Sequence, residues 1–245
     1  MKPDAAILLP GNMCDARLWG GGGDALRTML DRHSISWIDA DLTRDDTISA
    51  MATRALASVD GPVLLIGFSM GAIVAVEMAM QAPQHIAGLV LAGYNATADL
   101  PERAAIRPRQ QAEVRAGGLE RVLVEELKPN YLAEFNRRDV DLLALLRDMG
   151  LRLGEEVFVG QSEALRLRHD RRPMLGQLTV PVLYLCGAED GLCPPEWHRE
   201  WATMTRGSTL ELIAEAGHML PLEQPESFAE TIGLWLDHHR EEMHK

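Results

Sequence analysis

Cysteine is scarce in this 245-residue sequence, which contains only Cys14, Cys186 and Cys193. An odd number of cysteines, without the close spacing of metal-binding pairs, argues against a disulfide framework and a cysteine-based zinc site. Such cysteines fit a reducing compartment. We therefore expect a cytoplasmic protein whose thiols are buried or incidental rather than redox-active or nucleophilic.

Long apolar runs and an excess of positive charge are also lacking. No apolar run reaches the roughly 18 residues that a membrane-spanning helix needs, and only Lys2 and a short apolar segment stand where a targeting signal would begin. The chain has 24 basic and 36 acidic residues and a net charge of -12, which argues against nucleic acid and anionic membranes as partners. Hydrophobic residues are plentiful at 47%, so we expect one substantial core rather than a disordered chain.

The chain is organised around residues 62–77, PVLLIGFSMGAIVAVE. Apolar residues 63–66 predict a strand buried on both faces, and the Ala-rich residues 72–82 predict a helix that stops at a proline. Ser69 therefore lies at a sharp strand-to-helix turn, where crowding requires glycine at positions 67 and 71. Such a nucleophile elbow exposes the serine hydroxyl and directs the N–H of Met70 toward a developing oxyanion.

Strands and helices alternate along most of the chain. This alternation predicts an α/β fold with a mostly parallel sheet of about six strands and helices on both faces. The predicted strands are residues 5–9, 34–39, 63–66, 86–92, 180–186 and 209–213, and the predicted flanking helices are 24–30, 45–58, 72–82, 194–202 and 226–239. We expect mobility in the glycine run 20–23.

Residues 99–178 differ from the rest of the sequence. They carry 14 basic and 14 acidic residues, are rich in arginine and contain no credible strand. We interpret them as a helical insertion between two core parts, 1–98 and 179–245, with helices at 101–116, 119–127, 130–136, 139–149 and 155–169. Breaks are expected at 117–118, at Pro129 and at Gly150.

A serine hydroxyl needs a base within reach, and the base needs a carboxylate to orient it. Asp190 follows the strand 180–186 and His218 follows the strand 209–213. Loops at the carboxyl ends of parallel strands share one sheet edge, so both can reach Ser69, and Ser-Asp-His is the chain order of this architecture. Glu189 is an open alternative to Asp190.

The other histidines are interpreted as core or surface residues. His238, His239 and His244 are not predicted to bind metal, because adjacent helical histidines point to different faces and no acidic or cysteine partner completes a site.

Four motifs carry a resemblance to a known family: LLPGNMCDARLW at 8–19, GFSMG at 67–71, VPVLYLCGAEDGLCPP at 180–195 and AEAGHMLPLEQPE at 214–226. The chain resembles the α/β-hydrolase superfamily over essentially its full length. Within it, the chain is similar to small bacterial esterases related to pimeloyl carrier-protein methyl ester esterase.

The resemblance implies Ser69 as nucleophile, Asp190 as acid and His218 as base, with Met70 and Asn12 supplying the oxyanion N–H groups. Many relatives have His-Gly where this chain has Pro10-Gly11. Proline lacks an N–H and fixes its φ, so whether Asn12 or Met13 donates stays open.

By the same resemblance, residues 99–178 form a cap that roofs the active site and selects substrate. Most of its arginines are interpreted as a solvated face paired with acidic neighbours. The sharper hypothesis is that a few of them hold an anionic or carrier-linked part of the substrate. The arginines of the segment from which those few would come include Arg103, Arg107, Arg109, Arg137, Arg138, Arg166, Arg168, Arg171 and Arg172.

The expected function is hydrolysis of a small-molecule carboxylic ester, with a thioester as an alternative, through an acyl-Ser69 intermediate and without metal or organic cofactor. Two other functions use the same scaffold. One is carbon-carbon bond cleavage by the same three residues. The other is a ligand receptor with slow turnover.

Overall fold

A parallel sheet forms the centre of the fold. The computed structural model describes residues 3, 5–20, 24–58, 61–127 and 131–239. Its strands are β1 Ala5–Leu9, β2 Ser36–Asp39, β3 Val63–Phe68, β4 Ile86–Ala92, β5 Val182–Gly187 and β6 Thr209–Ile213. They pair in the order β2-β1-β3-β4-β5-β6, and every pair is parallel. The predicted six-stranded α/β fold is confirmed.

Helices pack on both faces of the sheet. The α-helices are α1 Ala25–Arg32, α2 Ile48–Leu56, α3 Met70–Gln81, α4 Pro101–Glu113, α5 Leu119–Arg121, α6 Val140–Arg166, α7 Arg172–Leu175, α8 Pro195–Met204, α9 Leu220–Glu223 and α10 Pro225–His238. Short 3-10 helices occupy Ala16–Trp19, Pro83–His85 and Glu134–Arg138, and π-helical turns occupy Val114–Gly118 and Val122–Leu127.

Alternation along the strands sorts the apolar side chains between two cores. On β3, Leu64 and Ile66 pack on the face covered by α1 and α10, whereas Val63 and Leu65 pack on the face covered by α2, α3 and α8. The central strands β3, β4 and β5 are buried along their whole length. Continuous burial explains why these strands are apolar throughout rather than alternating with polar residues.

Between β4 and β5 the chain is helical, and no strand occurs among its described residues. We call residues 99–178 the helical segment. Part of its buried surface forms a third apolar cluster, in which Val122, Leu123 and Phe158 pack with Met13 from the loop after β1. The helical segment is thus packed against the carboxyl edge of the sheet. Its status as a separate cap domain stays a prediction.

The predicted break at Gly150 is wrong. Helix α6 continues through this position, and the non-helical backbone lies at Gly154, with φ 84° and ψ -179°. A Cβ at position 150 would lie 2.6 Å from Leu123 Cδ1, so glycine is needed there for close helix contact rather than for a turn.

Other boundaries in the helical segment also differ from the prediction. The first helix ends at Glu113 instead of residue 116, because a π-helical turn follows it and Gly117 adopts φ 87°. The predicted helix at 130–136 is replaced by the 3-10 helix Glu134–Arg138. The predictions for Lys2, for 21–23 of the glycine run, for Pro129 and for His244 concern positions outside the described residues. In the parts of the chain that the structure describes, no helix combines the length and apolar character needed to cross a bilayer.

Candidate active site

Ser69 occupies a strained turn between β3 and α3. Its backbone has φ 53° and ψ -114°, a left-handed conformation that is unusual for a residue other than glycine. Both flanking glycines are sterically required: a Cβ on Gly67 would lie 2.6 Å from Ala72 Cα, and one on Gly71 would lie 1.9 Å from Leu9 O. The turn therefore carries Ser69 at the carboxyl end of β3, beside the loop that leaves β1.

Asp190 and His218 lie at the same sheet edge, after β5 and β6. His218 Nδ1 is 2.8 Å from Asp190 Oδ2, and His218 Nε2 is 3.0 Å from Ser69 Oγ. An ionised carboxylate can only accept, so Nδ1 carries the imidazole proton and Nε2 is left to accept from the serine hydroxyl. The three side chains form one hydrogen-bonded line, in which the serine proton points at an unprotonated nitrogen.

The environment of Asp190 keeps its carboxylate ionised. Burial alone would raise the pKa of Asp190, but attraction and hydrogen bonding to His218 and the amide N–H groups of Cys193 and Leu192 hold this pKa below its usual range. Both amides donate to Oδ1 at 2.8 Å, leaving Oδ2 for the imidazole. Glu189 instead accepts the Glu134 N–H at 3.0 Å.

Two aromatic rings pack against the His218 imidazole. Phe68, the last residue of β3, has its ring centroid 5.1 Å from that of His218, and Tyr131 lies edge-on at 5.6 Å. The backbone N–H of His218 also donates to the backbone carbonyl of Tyr131 at 2.6 Å. The helical segment therefore helps to orient the imidazole. Tyr131 was not predicted, because no local sequence pattern marks a residue that packs on His218 from 87 positions away.

The loop after β1 approaches Ser69 from the other side. Asn12 shares a cavity with Ser69 and Met70. Met70 is the first residue of α3, so its N–H has no partner one turn back within the helix. The next amide along the loop, Met13 N–H, donates to Gln161 Oε1 at 2.8 Å. The sequence left the Asn12 N–H and the Met13 N–H as alternative oxyanion donors. Of these two, the Met13 N–H already has a hydrogen-bond partner in the structure.

The cavity beside Ser69 has a volume of about 490 Å³ and is lined from both the core and the helical segment. Its lining includes four arginines, Arg103, Arg107, Arg137 and Arg168. Arg107 and Arg168 both pair with the buried carboxylate of Asp99, at 2.7 Å and 2.6 Å. A larger, more open groove of about 990 Å³ along α4 and α6 contains none of Ser69, Asp190 and His218.

Arg103 and Arg137 are not neutralised in this way. No carboxylate among the described residues lies within ion-pair distance of either side chain. Other arginines singled out from the sequence pair with acids in the structure: Arg109 with Glu113 and Glu126, Arg166 with Glu163, Arg171 with Glu77 and Arg172 with Asp170.

The other buried ionisable groups near the site are poorly suited to act as a nucleophile or a base. Burial raises the pKa of Cys193 well above its usual value and also raises that of Cys186, so both stay thiols. Burial lowers the pKa of His198 to about 4, and its Nε2 accepts the Tyr94 N–H. The one metal-like cluster in the described residues is Asp190, Cys193 and His218. It fits a metal poorly, since its acid and imidazole bind each other and its thiol resists deprotonation.

Comparisons with known proteins identify the family of the chain and relatives of its fold. A profile described as the alpha/beta hydrolase family matches residues 6–231. The pimeloyl-(acyl-carrier protein) methyl ester esterase of Neisseria meningitidis serogroup B (strain H44/76) is 25% identical over 86% of this chain and 87% of its own length. The biotin biosynthesis bifunctional protein BioHC of Cellvibrio japonicus is 25% identical over 95% of this chain, which spans 47% of that longer protein.

Solved structures share the fold. A thermophilic esterase from Thermogutta terrifontis, solved with malate bound, superposes with a TM-score of 0.86 at 27% identity, covering 100% of this chain and 92% of that one. The enol-lactonase from Burkholderia xenovorans LB400 superposes with a TM-score of 0.80 at 20% identity, covering 97% of this chain and 92% of that one.

Proposed function

Because this chain belongs to the alpha/beta hydrolase family, as its motifs predicted, and is a carboxylic ester hydrolase, we propose that it cleaves its substrate through an acyl-Ser69 intermediate. The observation that carries the proposal is the continuous hydrogen-bonded line from Asp190 through His218 to the Ser69 hydroxyl. A serine oxygen at neutral pH attacks a carbonyl only when a base removes its proton as the bond forms.

In the first half-reaction, His218 Nε2 takes the hydroxyl proton while Ser69 Oγ bonds to the ester carbonyl carbon. Asp190 stabilises the imidazolium that results. When the tetrahedral intermediate collapses, the bond to the alcohol oxygen breaks and His218 returns the proton to that oxygen. The alcohol leaves, and the acyl group stays on Ser69.

In the second half-reaction, His218 removes a proton from water, and the water oxygen attacks the acyl carbon. Collapse then breaks the bond to Ser69 Oγ, which regains its proton from His218. The products are one alcohol and one carboxylic acid. Each proton that the imidazole takes up is released within the same half-reaction, so the cycle needs no metal and no organic cofactor.

The oxyanion of both tetrahedral intermediates is assigned to the N–H groups of Met70 and Asn12. Met70 N–H lies at the start of α3, where the helix dipole favours negative charge. Asn12 is favoured over Met13 because the Met13 N–H donates to Gln161 and Asn12 lines the cavity with Ser69. A single donor of this kind is worth about 10²–10³ in rate.

The decisive experiment compares turnover of p-nitrophenyl butyrate by wild type and Ser69→Ala. We expect saturable turnover in wild type and a loss of at least 10³-fold in the variant. Ser208→Ala is a matched control, because this part-buried hydroxyl donates to Ala202 O and Thr205 O far from the cavity. Mass spectrometry after a fluorophosphonate should find the adduct on Ser69. Undiminished turnover by Ser69→Ala would refute the proposal, and slow single turnover with ligand-induced stabilisation would favour a receptor.

We further propose that residues 99–178 act as a cap that selects the substrate. The selected ester has an anionic group in its acyl part, and the acyl group belongs either to a free acid or to an acid linked to a carrier. The support is the pair of un-neutralised arginines, Arg103 and Arg137, in the lining of the Ser69 cavity. A guanidinium binds a carboxylate or phosphate with two parallel hydrogen bonds. A cytoplasmic location is part of the same proposal, since three cysteines, an odd number without the close spacing of metal-binding pairs, suit a reducing compartment.

Selectivity for an anion is tested with p-nitrophenyl hydrogen glutarate against the neutral p-nitrophenyl valerate, which has the same acyl chain length. Losing one hydrogen bond to a charged group costs about 1.5–3 kcal/mol, so Arg103→Ala or Arg137→Ala should raise KM for the glutarate at least tenfold and leave valerate within twofold. Arg172→Ala, which removes a surface guanidinium paired with Asp170, is the control. Equal effects on both esters would contradict the anion site.

A further inference from the structure

Gln161 joins the helical segment to the loop that carries the assigned oxyanion donor. It lies on α6 and is only 2% exposed. Its Oε1 accepts from Asn12 Nδ2 at 3.1 Å and from Met13 N at 2.8 Å, and its Nε2 donates to the Leu42 carbonyl at 3.1 Å. One side-chain amide thus ties together α6, the loop after β1 and the loop after β2.

These bonds determine which way the loop after β1 presents its amides. Met13 has a positive φ of 52°, so the chain turns sharply between Asn12 and Cys14. With the Met13 N–H bound to Gln161, rotation of the Asn12–Met13 peptide would break that hydrogen bond, and the Asn12 side chain is anchored to the same Gln161 oxygen. Buried amides left without partners cost about 1–3 kcal/mol each, so this conformation is held against its alternatives.

Proline at position 10 leaves the loop with one hydrogen-bond donor fewer. Pro10 has no N–H to donate within the loop, and Gly11 is needed because a Cβ there would lie 2.8 Å from the Phe68 ring. The loop therefore combines a residue that cannot donate with one that has wide backbone freedom. Within the loop, the Cys14 N–H donates to Gly11 O at 3.1 Å, and Gln161 adds hydrogen bonds to Asn12 and Met13 from outside the loop.

We propose that Gln161 is a positioning residue for the hydrolysis: it holds the loop after β1 so that the Asn12 N–H, and not the Met13 N–H, is presented to the oxyanion. The inference rests on the proposed acyl-Ser69 chemistry. Gln161 itself touches neither Ser69 nor the reacting carbonyl. It acts through the loop, and it should matter more in the transition state than in the bound ester, because the oxyanion forms only there.

The position of Gln161 also links the loop to the substrate cavity. Leu165, one helical turn further along α6, lines the cavity that contains Ser69. One helix turn thus carries both a residue that lines the cavity and the residue that is hydrogen-bonded to the loop after β1.

The test is steady-state kinetics of Gln161→Met, which keeps the side-chain length and removes all three hydrogen bonds. We expect kcat for p-nitrophenyl butyrate to fall about 10- to 100-fold, part of the full value of one donor, with KM within threefold. Gln161→Glu keeps the Oε1 acceptor for Asn12 and Met13 but loses the donor to the Leu42 carbonyl, so it should recover only part of kcat. Gln111→Met is the matched control: this buried glutamine donates to Ser162 Oγ and Glu163 and contacts no catalytic loop.

A second readout separates positioning from a general loss of structure. A trifluoromethyl ketone with a butyl chain forms a tetrahedral adduct with Ser69 that carries the oxyanion. Its inhibition constant should rise in Gln161→Met by the same factor as kcat/KM falls, whereas the KM for the ester changes little. Thermal melting establishes that each variant is folded at the assay temperature, and if Gln161→Met is unfolded, the same two comparisons are made with Gln161→His.

The outcomes distinguish this inference from the function on which it rests. If Ser69→Ala retains activity, the proposed function fails. If Ser69→Ala is inactive while a folded Gln161→Met keeps the kcat of wild type or changes only in KM, the positioning role alone is refuted. The same holds if kcat falls no more in Gln161→Met than in Gln111→Met. Parallel losses in kcat/KM and in binding of the ketone would support it.

Discussion

Replacing Asp190 by asparagine tests the arrangement of the three central residues most directly. Asp190→Asn changes one atom and keeps the size of the side chain. Its Oδ1 can still accept the amide N–H groups of Leu192 and Cys193, which lie at 2.8 Å. The new NH2 group then faces His218 Nδ1, at the position where the carboxylate oxygen lies 2.8 Å away.

An NH2 group donates, so it selects the imidazole tautomer with a bare Nδ1 and a proton on Nε2. Nε2 lies 3.0 Å from Ser69 Oγ and could then only donate to it. The base would be lost although the geometry remains. In serine hydrolases with this constellation such a change lowers kcat by about 10⁴, which corresponds to about 5 kcal/mol of transition-state stabilisation.

The assay is kcat/KM for p-nitrophenyl butyrate at pH 8 and 25 °C, with Asp141→Asn, an exposed acid at the start of α6, as control. We expect a loss of 10³–10⁴ in kcat for Asp190→Asn with KM within threefold, and no change for the control. A loss smaller than tenfold in a folded Asp190→Asn protein would refute the reasoning from the tautomer.

Stability gives an independent check on the same variant. The pKa of Asp190 is lower in the folded protein than its usual value. Its ionised form therefore contributes stability that is complete above the unfolded pKa and is lost as the pH falls through the folded one. Asp190→Asn should accordingly melt below wild type at pH 7, and this difference should shrink below about pH 4.

Two further predictions concern residues around the site. Gly71→Ala should lower the free energy of unfolding by more than about 3 kcal/mol or prevent folding, because its Cβ would lie 1.9 Å from Leu9 O. Gly191→Ala should be neutral in denaturant titrations, because its Cβ would lie within 4 Å of no described residue other than its chain neighbours. Burial raises the pKa of Glu223 despite its hydrogen bonds, so its contribution to stability is fully present below the unfolded pKa and declines as the pH rises through the folded value. In Glu223→Gln the melting temperature should depend less on pH between 4 and 7 than in wild type. Replacing the exposed Glu226 in Glu226→Gln should leave this dependence unchanged. Identical curves of melting temperature against pH for wild type and Glu223→Gln would contradict the prediction.

Most of the sheet could be predicted because its signals are local. Strands β1, β4 and β6 have the predicted bounds, and the helix after β3 begins at Met70, two residues earlier than predicted. Apolar runs, glycine and proline breaks and the crowding around Ser69 all act over a few residues. The N-terminus of α2 is also fixed locally, because Thr47 Oγ1 accepts the Ala50 N–H.

The helical segment was predicted less well because its glycines serve tertiary contacts. Gly150 and Gly154 are equivalent in sequence terms, as both interrupt a helical pattern. In the structure Gly150 is helical and lies against Leu123, whereas Gly154 is non-helical and a Cβ there would meet no described side chain. Helix breaks of this kind depend on which neighbour lies against the glycine, and that neighbour comes from a distant part of the chain.

The sequence by itself determined the α/β architecture, the elbow at Ser69 and the strand ends that bring Asp190 and His218 to one edge. These features depend on the periodicity of apolar residues and on steric crowding at turns, and both are properties of short stretches of chain. Only the tertiary structure decided that Met13 N–H is bound by Gln161 and that Tyr131 packs on His218. It also decided that Arg103 and Arg137 lack, among the residues it describes, the acid partner that Asp99 gives to other arginines. Each of these depends on atoms from separate elements meeting in space. Hydrogen bonds and ion pairs act over a few ångströms, whatever distance along the chain lies between the partners.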